Sequence, residues 1–178
     1  RDLVVTNFQR EVNTLYRNDA GGFFTDVSFI AGLGRSLPYV SWGAAFLDAD
    51  SDGRQDLFIA NGHIYTNAHE VDHTASYEQP NHLFRNLGSG VFEDVTKRVG
   101  LSARASSRGA AVADYDLDGD LDIVVTNSNS PARLLRNDGG ATGGWIQVAP
   151  PLRLAVGTRV EGVTGDVTQS AVVKGGQG

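Results

Sequence analysis

Short apolar runs separated by polar turns mark the chain along its length, and two stretches repeat each other in register. Residues 41–61 read SWGAAFLDADSDGRQDLFIAN, and residues 107–127 read SRGAAVADYDLDGDLDIVVTN. In each, a run of small apolar residues enters an acidic loop. The chain leaves the loop through Leu57-Phe58-Ile59 or Ile123-Val124-Val125. Runs this short, rich in β-branched and aromatic residues and bounded by turn residues, predict strands. Each stretch is therefore predicted to be a two-stranded hairpin closed by its acidic loop.

The pattern then continues. Leu15-Tyr16-Arg17-Asn18, Leu83-Phe84-Arg85-Asn86 and Leu134-Leu135-Arg136-Asn137 predict a third strand ending in Arg-Asn. After a glycine turn, Gly22-Phe23-Phe24-Thr25-Asp26-Val27 and Gly90-Val91-Phe92-Glu93-Asp94-Val95 predict a fourth. Four short strands per unit, repeating every 40–65 residues or so, predict blades of a β-propeller. Residues 2–7 align with 56–61 and 122–127, so Asp2 reads as the last aspartate of a third loop and the chain is expected to enter inside a repeat. After Asn137 the repeat breaks. Trp145-Ile146-Gln147-Val148, then residues 155–160 and 169–173 joined at Gly165-Asp166, predict strands of a second β module. The expected fold is all-β: a partial β-propeller of about three four-stranded blades over residues 1–140, the first truncated, and the start of a C-terminal β domain over 141–178.

The middle unit is longer than its neighbours. Asp56 to Asn86 spans 30 positions, against 15 from Asp122 to Asn137. The excess is a polar and aromatic insertion at residues 62–80, GHIYTNAHEVDHTASYEQP, which holds three of the four histidines. Insertions in repeat folds gather on one face, often the binding face.

The loops carry the chemistry. Asp48, Asp50, Asp52, Gly53 and Asp56 occupy the same slots as Asp114, Asp116, Asp118, Gly119 and Asp122. Carboxylates at positions 1, 3 and 5 turn inward, and glycine at position 6 permits the bend. Position 7 offers a backbone carbonyl, from Arg54 or Asp120, and position 9 closes the shell. This is the oxygen set a calcium ion wants, and it matches the first nine positions of an EF-hand loop. The glutamate of position 12 is replaced by Ile59 and Val125. The expectation is a metal-stapled hairpin with two calcium sites, of the weak class near 10⁻⁴–10⁻³ M. Loop 114–122 has five aspartates, whereas loop 48–56 has four and Arg54, so the former is expected to bind more tightly.

Composition narrows the partners. The chain has 178 residues, 40% hydrophobic and 20% charged, with a net charge of −6. No basic stripe meets phosphates, which argues against nucleic acid. There is no cysteine, hence no disulfide or thiolate metal site. No apolar run is long enough to span a membrane as a helix.

Residues 69–73, His-Glu-Val-Asp-His, match H-E-x-x-H, which on a helix supplies two zinc ligands and a general base. A polar insertion with no long amphipathic pattern favours coincidence. His63 and His82 are read as loop hydrogen-bonding residues. Arg17, Arg85 and Arg136 share one slot and are read as structural. Trp42, Phe24, Phe84 and Phe92 are expected in the core, and Tyr65 and Tyr77 on a contact surface for a sugar ring or partner protein.

The Asp-x-Asp-x-Asp-Gly-x-x-Asp loops, with Gly-Ala-Ala before and Asn after, resemble the FG-GAP/VCBS repeats of calcium-binding β-propellers such as integrin α-subunit heads. The tail is similar to the opening of an ASPIC/UnbV domain. The resemblance implies a multi-bladed propeller, an extracytoplasmic location and a role in binding or scaffolding. The expected function is a non-catalytic calcium-binding module for binding, adhesion or assembly, with a protein or carbohydrate ligand. The alternative is an enzyme-associated propeller: a metallohydrolase using residues 62–80, or an accessory protein of a biosynthetic pathway.

Overall fold

The alternation of apolar runs and turns builds antiparallel sheets with almost no helix. The structure, a computed structural model, describes residues 2–139, 146, 148, 156–165 and 167–173. A first unit pairs β1 (Leu3–Val5), β2 (Thr14–Asn18) and β3 (Phe24–Asp26). The middle unit is a four-stranded sheet of β4 (Ser41–Leu47), β5 (Asp56–Asn61), β7 (His82–Asn86) and β8 (Phe92–Asp94). The third pairs β10 (Ser107–Ala113), β11 (Asp122–Asn127) and β12 (Arg133–Leu135). Between β5 and β7 lie a single helical turn, α1 (Ala68–Val71), and β6 (Gln79–Pro80), which pairs with β9 (Arg104–Ala105).

Among the described residues only the middle unit has all four strands. The first unit has the counterparts of strands two to four, and the third those of one to three. The predicted tail strand at residues 145–148 lies mostly outside the described residues, although Ile146 and Val148 are described and carry no strand. Further on, β13 (Arg159–Thr164) and β14 (Val167–Val172) form the expected hairpin across residues 165–166.

The two acidic hairpins share one register. Ala44 faces Ile59 as Ala110 faces Val125, and Leu47 faces Asp56 as Ala113 faces Asp122. The core follows from period-two alternation in β5, whose six residues are all buried. Leu57 and Ile59 pack with Leu15, Val27 and Leu33 of the first unit, together with Phe84 and Phe92. Phe58 and Ala60 face the other way, onto Ile123 and Val125 of the third. A sheet with both faces covered explains why β5 reads as an unbroken apolar run.

Glycine sets how closely the units approach. A Cβ on Gly43 of β4 would lie 2.7 Å from the Ala110 nitrogen and 3.0 Å from the Arg108 oxygen. A Cβ on Gly62 would lie 2.5 Å from Ser106 Cα. Both strands of this contact carry a register irregularity at the glycine, between Ser41 and Ala44 and between Ser107 and Gly109. At the opposite edge the Phe92 N–H donates to Ala31 O at 2.8 Å, joining the middle unit to the first. Ser–Asn pairs close the far ends of the hairpins, the first of them fully buried. Ser41 Oγ donates to Asn61 Oδ1 and Ser107 Oγ to Asn127 Oδ1, both at 2.8 Å.

Two aromatic expectations are corrected. Phe84 and Phe92 are core, but Phe24 and Trp42 are partly exposed. Trp42 works at the contact between units instead: its Nε1 donates to Gly62 O at 2.8 Å, and the Arg108 guanidinium stands 4.5 Å above its ring. An indole N–H needs an acceptor, and the glycine contact supplies one at the rim rather than inside.

Because no backbone atom can retreat from both strands, Gly43→Ala should lower stability by about 2–4 kcal/mol in urea denaturation. Gly162→Ala, which meets nothing within 4 Å, should stay within about 0.5 kcal/mol of the parent. Equal midpoints for the two variants would contradict the close-contact account.

Candidate functional site

The two acidic loops share most of their wiring. Asp48 accepts from the N–H groups of Asp52 at 3.0 Å and Gly53 at 2.8 Å, and Asp114 from Gly119 at 3.1 Å. At position 7, Arg54 and Asp120 donate their N–H to Asp52 and Asp118, both at 3.0 Å. The turn needs left-handed backbone twice: glycine supplies it at Gly53 and Gly119. Ser51 and Leu117 adopt it as well, at φ 53° and 62°, the kind of strained backbone that clusters at binding sites.

The ninth-position aspartates are the most enclosed. Asp56 and Asp122 are each 1% exposed. Asp56 accepts from Ala49 N at 3.0 Å and from Asn86 N at 2.7 Å. Asp122 repeats this with Tyr115 and Asn137, both at 2.8 Å. In the first unit Asp2 accepts from Asn18 N at 2.9 Å, so the alignment made from sequence holds in space. These carboxylates tie the start of the loop to the end of the third strand.

The structure gathers ligand oxygens of Asp48, Asp50 and Asp56 within 4.8 Å of one another, and likewise those of Asp114, Asp116 and Asp118. Asp52 is turned toward Arg54 and Arg85 instead. Asp50 Oδ1 and Asp114 Oδ1 are buried and accept no hydrogen bond among the described residues. A buried carboxylate oxygen without a donor is costly, and a hard cation relieves it. An all-oxygen donor set with one orphaned oxygen per loop fits calcium.

Electrostatics points the same way. Desolvation raises the pKa of Asp48 and of Asp56 against their backbone hydrogen bonds, with neighbouring aspartates adding to it. Asp116 is raised by desolvation and then by Asp118 and Asp122. Arginine of the shared Arg-Asn slot offsets part of this charge. Arg85 Nε lies 2.6 Å from Asp50 Oδ2, off the line of a hydrogen bond, and its pKa is raised chiefly by Asp50. Arg136 pairs with Asp138 and stands 3.9 Å from Asp116. Arg17 pairs with Asp19 at 2.7 Å.

The insertion lies at the other end of the strands from the loops, across the six residues of β5, roughly 17–20 Å. His69 and Glu70 sit in α1, but the chain turns extended at Asp72, with φ −136° and ψ 106°. His73 is thus off the helix, and the helical i, i+4 relation that gives H-E-x-x-H its chemistry is not formed. Asp72 ends the turn by accepting from Thr74 N at 2.9 Å and Thr74 Oγ1 at 2.6 Å, and it pairs with Arg10 of the first unit at 2.9 Å. His82 is in β7 rather than a loop, buried, and its Nδ1 lies 2.9 Å from Asn61 Nδ2. Tyr77 is no free contact residue, since its hydroxyl is held by Asn129 of the third unit at 3.1 Å. Sequence reading missed residues 8–10, which meet the insertion. The available signal was their slot, the loop between second and third strands of the preceding unit.

This arrangement defines a repeat protein with paired acidic loops, and residues 71–125 match the FG-GAP-like repeat family. The match begins in the insertion and includes loop 114–122. Among curated proteins the chain is similar to Cartilage acidic protein 1 of Xenopus tropicalis, 39% identical over 77 residues, 43% of this chain and 12% of that protein. It is 45% identical over 56 residues, 31% of this chain, to the proteins of that name from Mus musculus and Homo sapiens, where it covers 9% and 8%. The matched segments thus span about a tenth of those relatives.

Asp72 gives a pH prediction. The Thr74 hydroxyl, then the Thr74 N–H, then Arg10 lower its pKa to about 2 from the ordinary 3.8. A lowered carboxylate contributes in full above its unfolded value and loses that contribution as pH falls through the folded one. The Arg10 and Thr74 NMR signals should therefore hold down to about pH 3.8 and move between there and about pH 2. Asp72→Ala should show the moved positions at neutral pH. Signals that stay fixed across that window would contradict the latch.

Proposed function

We propose that the chain forms part of a calcium-binding β-propeller that serves as an extracytoplasmic module for binding, adhesion or assembly, with no chemistry of its own. The three units are its blades. The observation that carries this reading is the matched wiring of the two acidic loops, each with a buried orphaned carboxylate oxygen. Asp48, Asp50, Asp52 and Asp56 with the Arg54 carbonyl would hold one ion. Asp114, Asp116, Asp118 and Asp122 with the Asp120 carbonyl would hold the other. A bound dication neutralises carboxylates that burial and mutual repulsion disfavour, and so stiffens the hairpin between first and second strands.

Both faces of β5 are covered by neighbouring sheets, as a blade between blades requires. An extracytoplasmic location is supported by relatives named for cartilage, and calcium sites of the weak class would suit millimolar calcium there. We read β13–β14 as part of an ASPIC/UnbV-like β domain. The face opposite the calcium loops, with the insertion, is the one that meets a protein or carbohydrate.

Titration calorimetry on the full chain should count two calcium ions. Asp50→Ala and Asp116→Ala should each remove one; unchanged stoichiometry in both would defeat the assignment.

The loops should also differ in strength. Loop 48–56 already carries Arg54 and Arg85 against its aspartates, whereas loop 114–122 has Arg136 at its edge. Loop 114–122 should be the tighter site. Removing a unit charge at roughly 5–7 Å, with an effective dielectric of about 40–80, is worth on the order of 1 kcal/mol. Arg85→Gln should therefore tighten the weaker site about fivefold, and Arg136→Gln should change its own site less. Weaker binding in Arg85→Gln would contradict this role.

A further inference from the structure

The asparagines that follow the third strand share one slot but not one partner. Asn18 Oδ1 accepts from Ala20 N and Asn86 Oδ1 from Gly88 N, both at 2.9 Å, so each shapes the turn beyond its own strand. The Asn86 amide also stays within its unit, donating to Gln55 O at 3.0 Å. Asn137 differs. Its Nδ2 leaves the third unit and donates to Ala49 O, inside loop 48–56 of the middle unit, at 2.8 Å.

Both ends of that bond are anchored on a ninth-position aspartate. The Asn137 N–H donates to Asp122 Oδ1 at 2.8 Å, and the Ala49 N–H donates to Asp56 Oδ2 at 3.0 Å. A line from Asp122 through Asn137 and Ala49 to Asp56 thus joins one acidic loop to the other. Ala49 lies between Asp48 and Asp50, the first and third positions of its loop. Asp56 holds the peptide group that precedes Ala49, and Asn137 holds the one that leads into Asp50. Asp50 is the residue whose Oδ1 is buried and accepts no hydrogen bond among the described residues. Apolar contact closes the same place. Ala49 of one loop and Leu121 of the other pack on one cluster with Leu47, Ile123 and Leu135. The amide bond is half-buried there, where water competes for it less.

A bond placed this way couples the loops it joins. It needs Ala49 O held in place by loop 48–56 and Asn137 held in place by loop 114–122. An ion that stiffens either loop sets one half of the bond, so less ordering is left for the second ion to impose. Direct electrostatics acts with the opposite sign, because two dications repel. The sign of the coupling therefore separates the contact from the field.

We infer that Asn137 is a positioning residue that couples the two acidic loops, so that calcium at either one raises the affinity of the other. The inference rests on the calcium reading above and adds that the two sites fill cooperatively. By linkage the factor is the same in both directions.

The test is an NMR titration of the full chain with calcium at physiological ionic strength, the signals of each loop reporting its own site. Loop 114–122 is compared between the parent and Asp50→Ala, and loop 48–56 between the parent and Asp116→Ala. Disabling one site should weaken the other about fivefold, equally in both directions. Asn137→Ala keeps the backbone N–H on Asp122, so each site measured alone should change by less than about twofold. In that variant the coupling factor should nevertheless fall to one or below, whereas Asn86→Ala should leave it intact. Hydrogen exchange gives a second readout. In Asp50→Ala, calcium at loop 114–122 should slow exchange at residues 49–53, and adding Asn137→Ala should abolish that slowing. Two bound ions with a factor of one or below in the parent would overturn the coupling and leave the calcium reading standing. An unchanged factor in Asn137→Ala would overturn it too. No ion at either loop would overturn both.

Discussion

Asp56 and Asp122 each hold three strands at one point. Each carboxylate opens the second strand of its unit, accepts from the first residue beyond the loop's leading aspartate, and accepts again from the end of the third strand. An anion with both oxygens on backbone N–H groups makes strong, directional bonds, and removing it would leave two backbone donors without their partner. The rest of the loop hangs from this anchor. Once the ninth position is fixed, the left-handed turns at Gly53 and Gly119 bring positions 1 and 3 together in both loops, with position 9 in the middle unit and position 5 in the third, and negative charge accumulates in a small volume.

That accumulation is what makes the loops useful. Carboxylates this close repel one another and lose hydration, which is seen in the raised pKa values of Asp48, Asp56 and Asp116. Arg85 offsets part of this in the middle unit and Arg136 less in the third. A dication at either loop would remove the repulsion and fill the orphaned oxygen. At the other end of the same strands, glycine contacts and the Ser–Asn pairs hold the units together. The insertion is pinned there from both sides, by Arg10 of the first unit and by β9 and Arg108 of the third. The acidic loops and the insertion thus stand at opposite ends of one sheet.

The repeating parts were legible in the sequence because repetition is itself a structural measurement. Two loops in register gave the hairpins, the strand after each, and the place of Asp2, and all of these stand in the fold. What does not repeat was harder to read. Phe24 and Trp42 look like core residues by type, yet Trp42 serves a glycine-made contact between units that no single-strand pattern shows. The match to H-E-x-x-H fails for a local reason: the Asp72 side chain captures Thr74 and ends the helix after one turn. Residues 8–10 became visible only once the fold set them against the insertion. His63 is the loop hydrogen-bonding residue its setting predicts, but its burial depends on neighbours from two other units.

The central claim is that both acidic loops are calcium sites built on the same carboxylate frame. Anomalous X-ray scattering from crystals of the full chain grown in calcium tests it most directly. The account predicts one anomalous peak inside each of loops 48–56 and 114–122, the second at equal or higher occupancy. Loops with no peak at millimolar calcium, their aspartates still held by Arg85 and Arg136, would contradict it.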